Sequence, residues 1–510
     1  MARRAFVIAA VVVFIVLGWG VFAGDSSFAV APSQQDGKVY VVLWFDYEDY
    51  IQPRSDDAAL RIAEMLNDYG IRATFKIVGK KLEDLLHAGR KDIIDALARH
   101  SVGYHSYDHS VHPTIAEYLK RMGWNSGGKE FERRETGGVD LIKEVFGITP
   151  SCYGQPGSAW APQTYIAFNR WGIRVYLDEG NHVGVDNQPF WYCGLLNMYK
   201  MRSNLVRIYP SPDKAELQKD KERFTSIYNR LRRSGGGVVS TYSHPCEFVC
   251  QESWDKINYR DGKNTAPNQW IIPRLRPQGE IEEIFHNFAE YIEYIRSHQN
   301  VEFITADELL SLYKDKAREK TFTLPEIRQI AREVQGEISF QVVNRASVSA
   351  AESLSLLASW LVDHADEGEL PTEAKIMEVN FGPAVKPVTT PPDATLLWKE
   401  LIKACRWLVD YFHAAHQLPY RIEAGGMEIA PEDFLATLGR VTELALAGEA
   451  IPARIAISRG NFIVSRYVGE TGLWGWSVFP ENFDAPELVE LAKLQSWTLK
   501  PALLAEQEMP

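Results

Sequence analysis

Two histidines stand four residues apart in the stretch Gly103-Tyr104-His105-Ser106-Tyr107-Asp108-His109-Ser110. On one turn of helix that spacing sets both imidazoles on the same face, where a divalent cation bound through nitrogen can use both. A His-x-x-x-His pair alone is a common accident in a long chain, so its meaning depends on what else the fold delivers to it. Three carboxylates fall within four residues at Asp46-Tyr47-Glu48-Asp49, directly after an apolar run. Charge at the end of a buried strand is costly unless paired or used; the competing reading is a solvated loop. One carboxylate with His105 and His109 makes a set with positions open to water, the pattern of a catalytic rather than a structural metal site. A second carboxylate can then act as a base toward water there. His244, in Ser243-His244-Pro245, is placed to give a proton to a leaving amine. Of twelve histidines, His105, His109 and His244 take such positions, and His112 lies close by.

The elements that must position these groups can be read from periodicity. Val39 to Phe45 is a continuous β-rich run, the mark of a strand buried on both faces, and it leads into Asp46. Asp56 to Tyr69 has helical apolar spacing closed by Gly70. Ala73 to Val78 reads as strand, and Lys80 to His100 as helix in two pieces broken near Gly89. The strand-like Val102-Gly103-Tyr104 leads into His105. Helices over 138–146, 163–171, 214–233 and 281–298 then alternate with an extended Cys152-Tyr153 and with strands over 172–177, 237–242 and 301–305. A closing helix covers 306–313. Strands separated by helices imply an α/β fold with a parallel sheet. About seven such units predict a distorted (β/α) barrel, whose chemistry sits at the C-terminal ends of the strands. All three polar clusters fall on that rim.

A chain of 510 residues predicts two domains. A net charge of −12 is mild for the length and gives no support to nucleic-acid binding. Arg3-Arg4 before the apolar run Ala5–Ala23 reads as a signal peptide or membrane anchor over residues 1–23. The expectation is export, to the periplasm, the cell surface or the medium, with residues 5–23 holding the chain to the membrane if uncleaved. Residues 24–37 read as a linker, 38–314 as the barrel, and 315–510 as a smaller α+β C-terminal region with a proline-rich connector over 382–393. Within that region the segments around 340–354 and 420–434 each read as strand, turn and capped helix, a weak internal duplication. His413 and His416 there read as packing residues of an amphipathic helix. The cysteines are Cys152, Cys193, Cys246, Cys250 and Cys405. Export permits disulfides, with Cys246–Cys250 and Cys152–Cys193 the candidate pairs; buried thiols are the competing reading.

Asp46 after the first strand, His105-Ser106-x-x-His109, and His244-Pro245 after a late strand resemble the motifs of the polysaccharide deacetylases (carbohydrate esterase family four). The framing segments Gly70–Gly79 and Val301–Leu309 are similar to that family's second strand and last strand-helix unit, so the resemblance covers about residues 38–314. It implies a divalent metal, most often zinc, and hydrolysis of an N-acetyl, sometimes O-acetyl, group on an acetylated polysaccharide or peptidoglycan. By matching position Asp46 would be the general base, His105 and His109 metal ligands, and His244 the general acid. The third ligand would be Asp49 or Glu48, with Asp49 preferred. In Tyr153-Gly154-Gln155-Pro156-Gly157 the family's Arg-x-Pro motif keeps its proline but has Gly154 where the arginine that holds the base belongs. Arg174 is a candidate substitute, and Asp178 falls where an acidic residue often supports the rim. Tyr153, Pro156 and Trp160 are expected at the substrate: a backbone N–H near Tyr153 for the oxyanion, and Trp160, with Phe190, Trp191 and Tyr192, for stacking on sugar rings. Core packing is the competing reading for these aromatics. Two other functions stay open: a non-catalytic glycan-binding barrel with an envelope-attaching C-terminal region, and a metal-dependent hydrolase of a non-sugar amide.

Overall fold

Val39–Tyr47 (β1) is a nine-residue strand with every side chain buried, which demands neighbours on both edges and cover on both faces. The structure, a computed structural model, describes residues 37–505. The expected signal or anchor and all but the last residue of the expected linker lie outside the described residues. The following strands are β2 (Thr74–Ile77), β3 (Ser101–Tyr104), β4 (Val175–Leu177), β5 (Phe190–Tyr192), β6 (Leu195–Met198), β7 (Leu205–Arg207), β8 (Gly237–Ser243) and β9 (Val301–Ile304). The helices that matter for the site are α1 (Arg54–Asp68), α2 (Gly79–His87), α3 (Lys91–Leu97), α4 (Ile115–Leu119), α5 (Trp124–Phe146), α6 (Thr164–Trp171), α7 (Lys214–Arg233), α8 (Trp254–Tyr259) and α9 (Gln278–Arg296).

One edge of β1 pairs with β8 along residues 39–45. The other is shared, with β9 beside residues 39–42 and β2 beside 44–47. The parallel order is β3-β2-β1-β8-β7. Single-residue bridges at Tyr153 carry the arc from Tyr104 of β3 to Tyr176 of β4, and β4-β6-β5 continue it. Among the described residues no strand pairing joins β6 to β7. The expected distorted (β/α) barrel has its parallel core, here an α/β arc that strand pairing does not close among the described residues.

Two local expectations fail for physical reasons. The segment from His105 to His109 is a bend and turn, not a helical turn; Ser106 and His109 take left-handed conformations, with φ of 64° and 55°. α5 starts well before Gly138, because Gly127, Gly128 and Gly138 let it lie close against Gln163, Ile166 and Tyr104; packing overrides their low helix propensity. α5 also fixes the loop that carries the histidines. Its buried Glu135 accepts from the Tyr104 hydroxyl at 2.5 Å and from the Tyr107 amide at 2.8 Å.

A second core runs through the C-terminal region from Ala317 to Ile455. It contains the same motif twice, a two-stranded hairpin leading into a helix: Gln341–Val343 and Ala346–Val348 before Ala350–Glu367, then Ile422–Ala424 and Met427–Ile429 before Pro431–Leu446. His413 and His416 are exposed, because the helix turns Phe412 and Leu408, not the imidazoles, inward. The chain then returns to the first core through Val464, Val478, Phe479 and Leu488. Lys500–Pro501 adds a strand to β5, and Lys500 Nζ meets Asp315 and Glu352 at 2.7 Å each. All five cysteines are buried free thiols, so neither expected disulfide forms. Among the described residues no helix is long and apolar enough to cross a membrane.

Burial pushes the Glu135 carboxyl up to about 8, against roughly 4.3 in an unfolded chain. The folded state then holds the extra proton between those values, and stability falls as pH rises through that window. Glu135→Gln is expected to abolish this decline. Thermal melting of both proteins from pH 5 to 8 tests it; parallel curves would disprove the linkage.

Candidate metal centre

The ends of β1, β3 and β8 bring their polar residues to one rim. Glu48 Oε2 lies 3.4 Å from His105 Nε2 and 2.9 Å from His109 Nε2, and three ligand atoms, one from each, lie within 4.8 Å of one another, all buried. Each side chain is fixed from behind. His105 Nδ1 is 3.0 Å from the Gly154 carbonyl, which can only accept, so Nδ1 carries the proton and Nε2 keeps its lone pair. His109 Nδ1 meets Ser110 Oγ at 2.7 Å. Its Nε2, near Glu48, is a buried nitrogen without a hydrogen-bond partner. Glu48 Oε1 accepts from the Trp254 indole at 3.1 Å, leaving Oε2 toward the histidines. Tetrahedral bonds of ~2.0 Å put donors about 3.3 Å apart, so two imidazoles and a carboxylate at these distances fit a divalent cation.

The electrostatics agree. Burial alone would raise the Glu48 carboxyl, but His109, His244 and His105 hold it well below the carboxylate range. Burial lowers His105, outweighing Asp46, whereas for His109 burial is outweighed by Glu48, which raises it. Asp49, the preferred third ligand in the sequence, is turned away. Its Oδ1 accepts the amides of Ile51 and Gln52 at 2.9 and 3.0 Å, starting the turn into α1. Glu48 stands where Asp49 was expected.

Asp46 lies beside the centre, its Oδ2 3.7 Å from His244 Nε2 and its Oδ1 2.9 Å from Lys76 Nζ. Lys76 comes from β2 and is fully buried. Its ammonium also donates to Asp178 Oδ2 at 2.7 Å and to the Leu177 carbonyl at 2.9 Å, and lies 4.1 Å from the Trp44 ring centroid. Asp46, His105 and Asp178 are spaced as a second cation set, but the ammonium already supplies that charge. A Cβ at residue 154 would collide with Lys76 Nζ and Asp178 Oδ2. Gly154 is thus the space that Lys76 occupies. Arg174, the expected substitute, is exposed. Lys76 went unread in the sequence, although a lone charge inside the strand Ala73–Val78 is itself a signal.

His244 is backed by Glu247, 3.4 Å from its Nδ1, and Glu247 in turn by Arg207 at 2.8 Å. Burial opposes protonation of His244, but Glu247, Glu48 and Asp46 push it up to about 9. His112 instead pairs with Glu117 at 2.7 Å. The residues expected at the substrate pack into the fold. The Tyr153 amide donates to the Val175 carbonyl at 3.0 Å, and its ring packs on Phe168 and Tyr176. Trp160 is buried against His182, Pro156 is buried, and Phe190, Trp191 and Tyr192 form β5. These rings are core, because the arc needs apolar filling behind its rim. A cavity of about 400 Å³ opens over Glu48, His109 and His244 and is bounded by Trp476, an aromatic no sequence motif had singled out.

Residues 33–176 match the family model described as polysaccharide deacetylase. No curated protein matches the chain. Among solved structures it is similar to a protein from Mycobacterium smegmatis described as a polysaccharide deacetylase, at 16% identity and a TM-score of 0.35 over 55% of this chain and 91% of that one. It is also similar to a family 4 acetyl xylan esterase from Clostridium thermocellum, at 16% identity and a TM-score of 0.27 over 53% and 90%. A third is a family 4 pseudoenzyme from Bacillus anthracis, at 14% identity and a TM-score of 0.28 over 53% and 65%.

Removing one partner of a buried ion cluster leaves an uncompensated charge and costs about 3–5 kcal/mol. Lys76→Met is expected to lose that much in urea unfolding. A Lys76→Met protein as stable as wild type would show that the ammonium does not hold the two aspartates.

Proposed function

We propose that this protein, whose residues 33–176 match the polysaccharide deacetylase family model, is a hydrolase that removes acetyl groups from an acetylated cell-envelope or extracellular glycan. Glu48, His105 and His109 would hold its divalent cation. Two histidines and a carboxylate favour zinc. We read the strand arc as the family's (β/α) barrel, opened between β6 and β7.

The observation that carries this reading is the convergence of Glu48 with both imidazoles, with Asp46 and His244 on either hand. A cation bound there supplies Lewis acidity, easing deprotonation of water and polarising an acyl carbonyl. Asp46 is the base that accepts the proton of the attacking water. Lys76 fixes its carboxylate from behind; burial opposes its ionisation, but His105, Lys76 and His244 together lower its pKa. His244 stands across the centre, held by Glu247, and gives its Nε2 proton to the departing amine. Asp46 and Lys76 are buried and His244 is only partly exposed, which strengthens their interactions. Gly154 does not favour a binding-only barrel, because a cation faces Asp46 from β2 instead.

His105→Ala and Glu48→Gln are expected to lose the bound metal, as read by elemental analysis of the purified protein. His244→Ala is expected to keep the metal and lose about 10²–10⁴-fold in kcat. The assay is acetate release from acetylated chitooligosaccharide or peptidoglycan, with and without chelator. Release that ignores both the chelator and these substitutions would end the proposal.

A further inference from the structure

The cleft is crossed by a strap from the C-terminal region. On one bank the strap is tied to the loop after β4: Gly184 N–H donates to the Tyr467 carbonyl at 3.3 Å, and Gly469 N–H donates to the His182 carbonyl at 2.7 Å. On the other bank it is tied to the turn after α8: Asp261 and Gly262 N–H donate to the carbonyls of Ser477 and Val478, both at 3.0 Å. Trp476 lies at the middle. Its amide donates to Ser158 Oγ at 3.2 Å, and its indole Nε1 donates to Asp255 Oδ2 at 3.1 Å. The indole stands edge-on to His109, with ring centroids 5.4 Å apart. Its other side rests on Gly157, where φ is 47° and any Cβ would run into the ring. Phe479 and Phe483, stacked at 4.2 Å, and Trp474, 4.7 Å from His182, anchor the strap, so the indole is a fixed wall.

From this we propose that Trp476 closes the cleft on the His109 side, so that the enzyme acts on the terminal sugar of a glycan or on a short oligosaccharide, not on sugars within a chain. A polymer threading past the centre needs both ends of the cleft open. Here the next sugar on the His109 side would occupy the volume of the indole. The remaining cavity of about 400 Å³ is the size of a small-molecule pocket and opens toward Tyr209, Lys256 and Arg276. This inference rests on the hydrolase reading for its chemistry, but the closed end is a matter of shape and is tested separately.

The full chain, loaded with zinc, is incubated with N-acetylglucosamine oligomers of two to six sugars and with long-chain acetylated chitin, and the position of each lost acetyl group is read by mass spectrometry. Wild type is expected to deacetylate terminal sugars only, and Trp476→Ala to raise the rate at internal sugars at least tenfold. Trp476→Phe keeps a ring over Gly157 and is expected to stay end-limited, which separates unblocking from misfolding. Binding stoichiometry on the long polymer is measured alongside: one wild-type molecule per chain end, several Trp476→Ala molecules per chain. Wild type acting at internal sugars as fast as at ends, or binding along the polymer, overturns the inference. End-limited binding with no acetate release sinks the hydrolase reading and leaves the closed cleft standing.

Discussion

One buried ammonium sets the terms for the rim. Lys76 Nζ has no solvent and faces two carboxylates and a carbonyl. Taking such a group out of water costs several kcal/mol, which only well-placed partners offset. Asp46 and Asp178 are those partners, and they come from the ends of different strands, so the ion cluster pins β1, β2 and the β4 end in register. The same cluster explains the missing side chain at residue 154, which would stand in the ammonium's volume. It also explains why Trp44 lies face-on below it. The second oxygen of Asp46, Oδ2, faces His244 and the centre, where positive charge is welcome.

Much of this was legible in the sequence, and the failures have physical causes. β1 was plain because a strand buried on both faces must be apolar throughout. The histidine pair was found by spacing, but a helical turn was the wrong reason. Ser106 and His109 in left-handed conformations fold the loop back, and the imidazoles still meet with centroids 5.1 Å apart. Asp49 was preferred over Glu48 by likeness to a motif, whereas strand alternation favours Glu48. Residues two apart share a face, so Glu48 follows Asp46 toward the cleft and Asp49 goes to the turn. Lys76 was equally readable, as the one charge in a strand that had no solvent for it. Trp476 was not readable, since nothing local marks an aromatic that packs across the fold.

The aromatics show the same division between composition and placement. Tyr153, Trp160, Tyr165, Phe168, Tyr176 and Tyr192 form one interlocked cluster, joined through Tyr165, which makes the rim behind the site stiff. A stiff rim holds catalytic groups close to a working geometry. The rings that line the cleft are instead Tyr209, after β7, and Trp476, from the strap.

The strap has a consequence in time. Ser158 and Trp476 are separated by 318 residues, and Lys500–Pro501, later still in the chain, pairs with β5. A polypeptide emerging from the ribosome can assemble β1 through β3 early, yet its cleft stays unwalled until the segment carrying Trp476 has been made. Synthesis itself therefore delivers the wall well after the rim, and a nascent chain that has not yet reached Trp476 carries Glu48, His105, His109 and His244 without it.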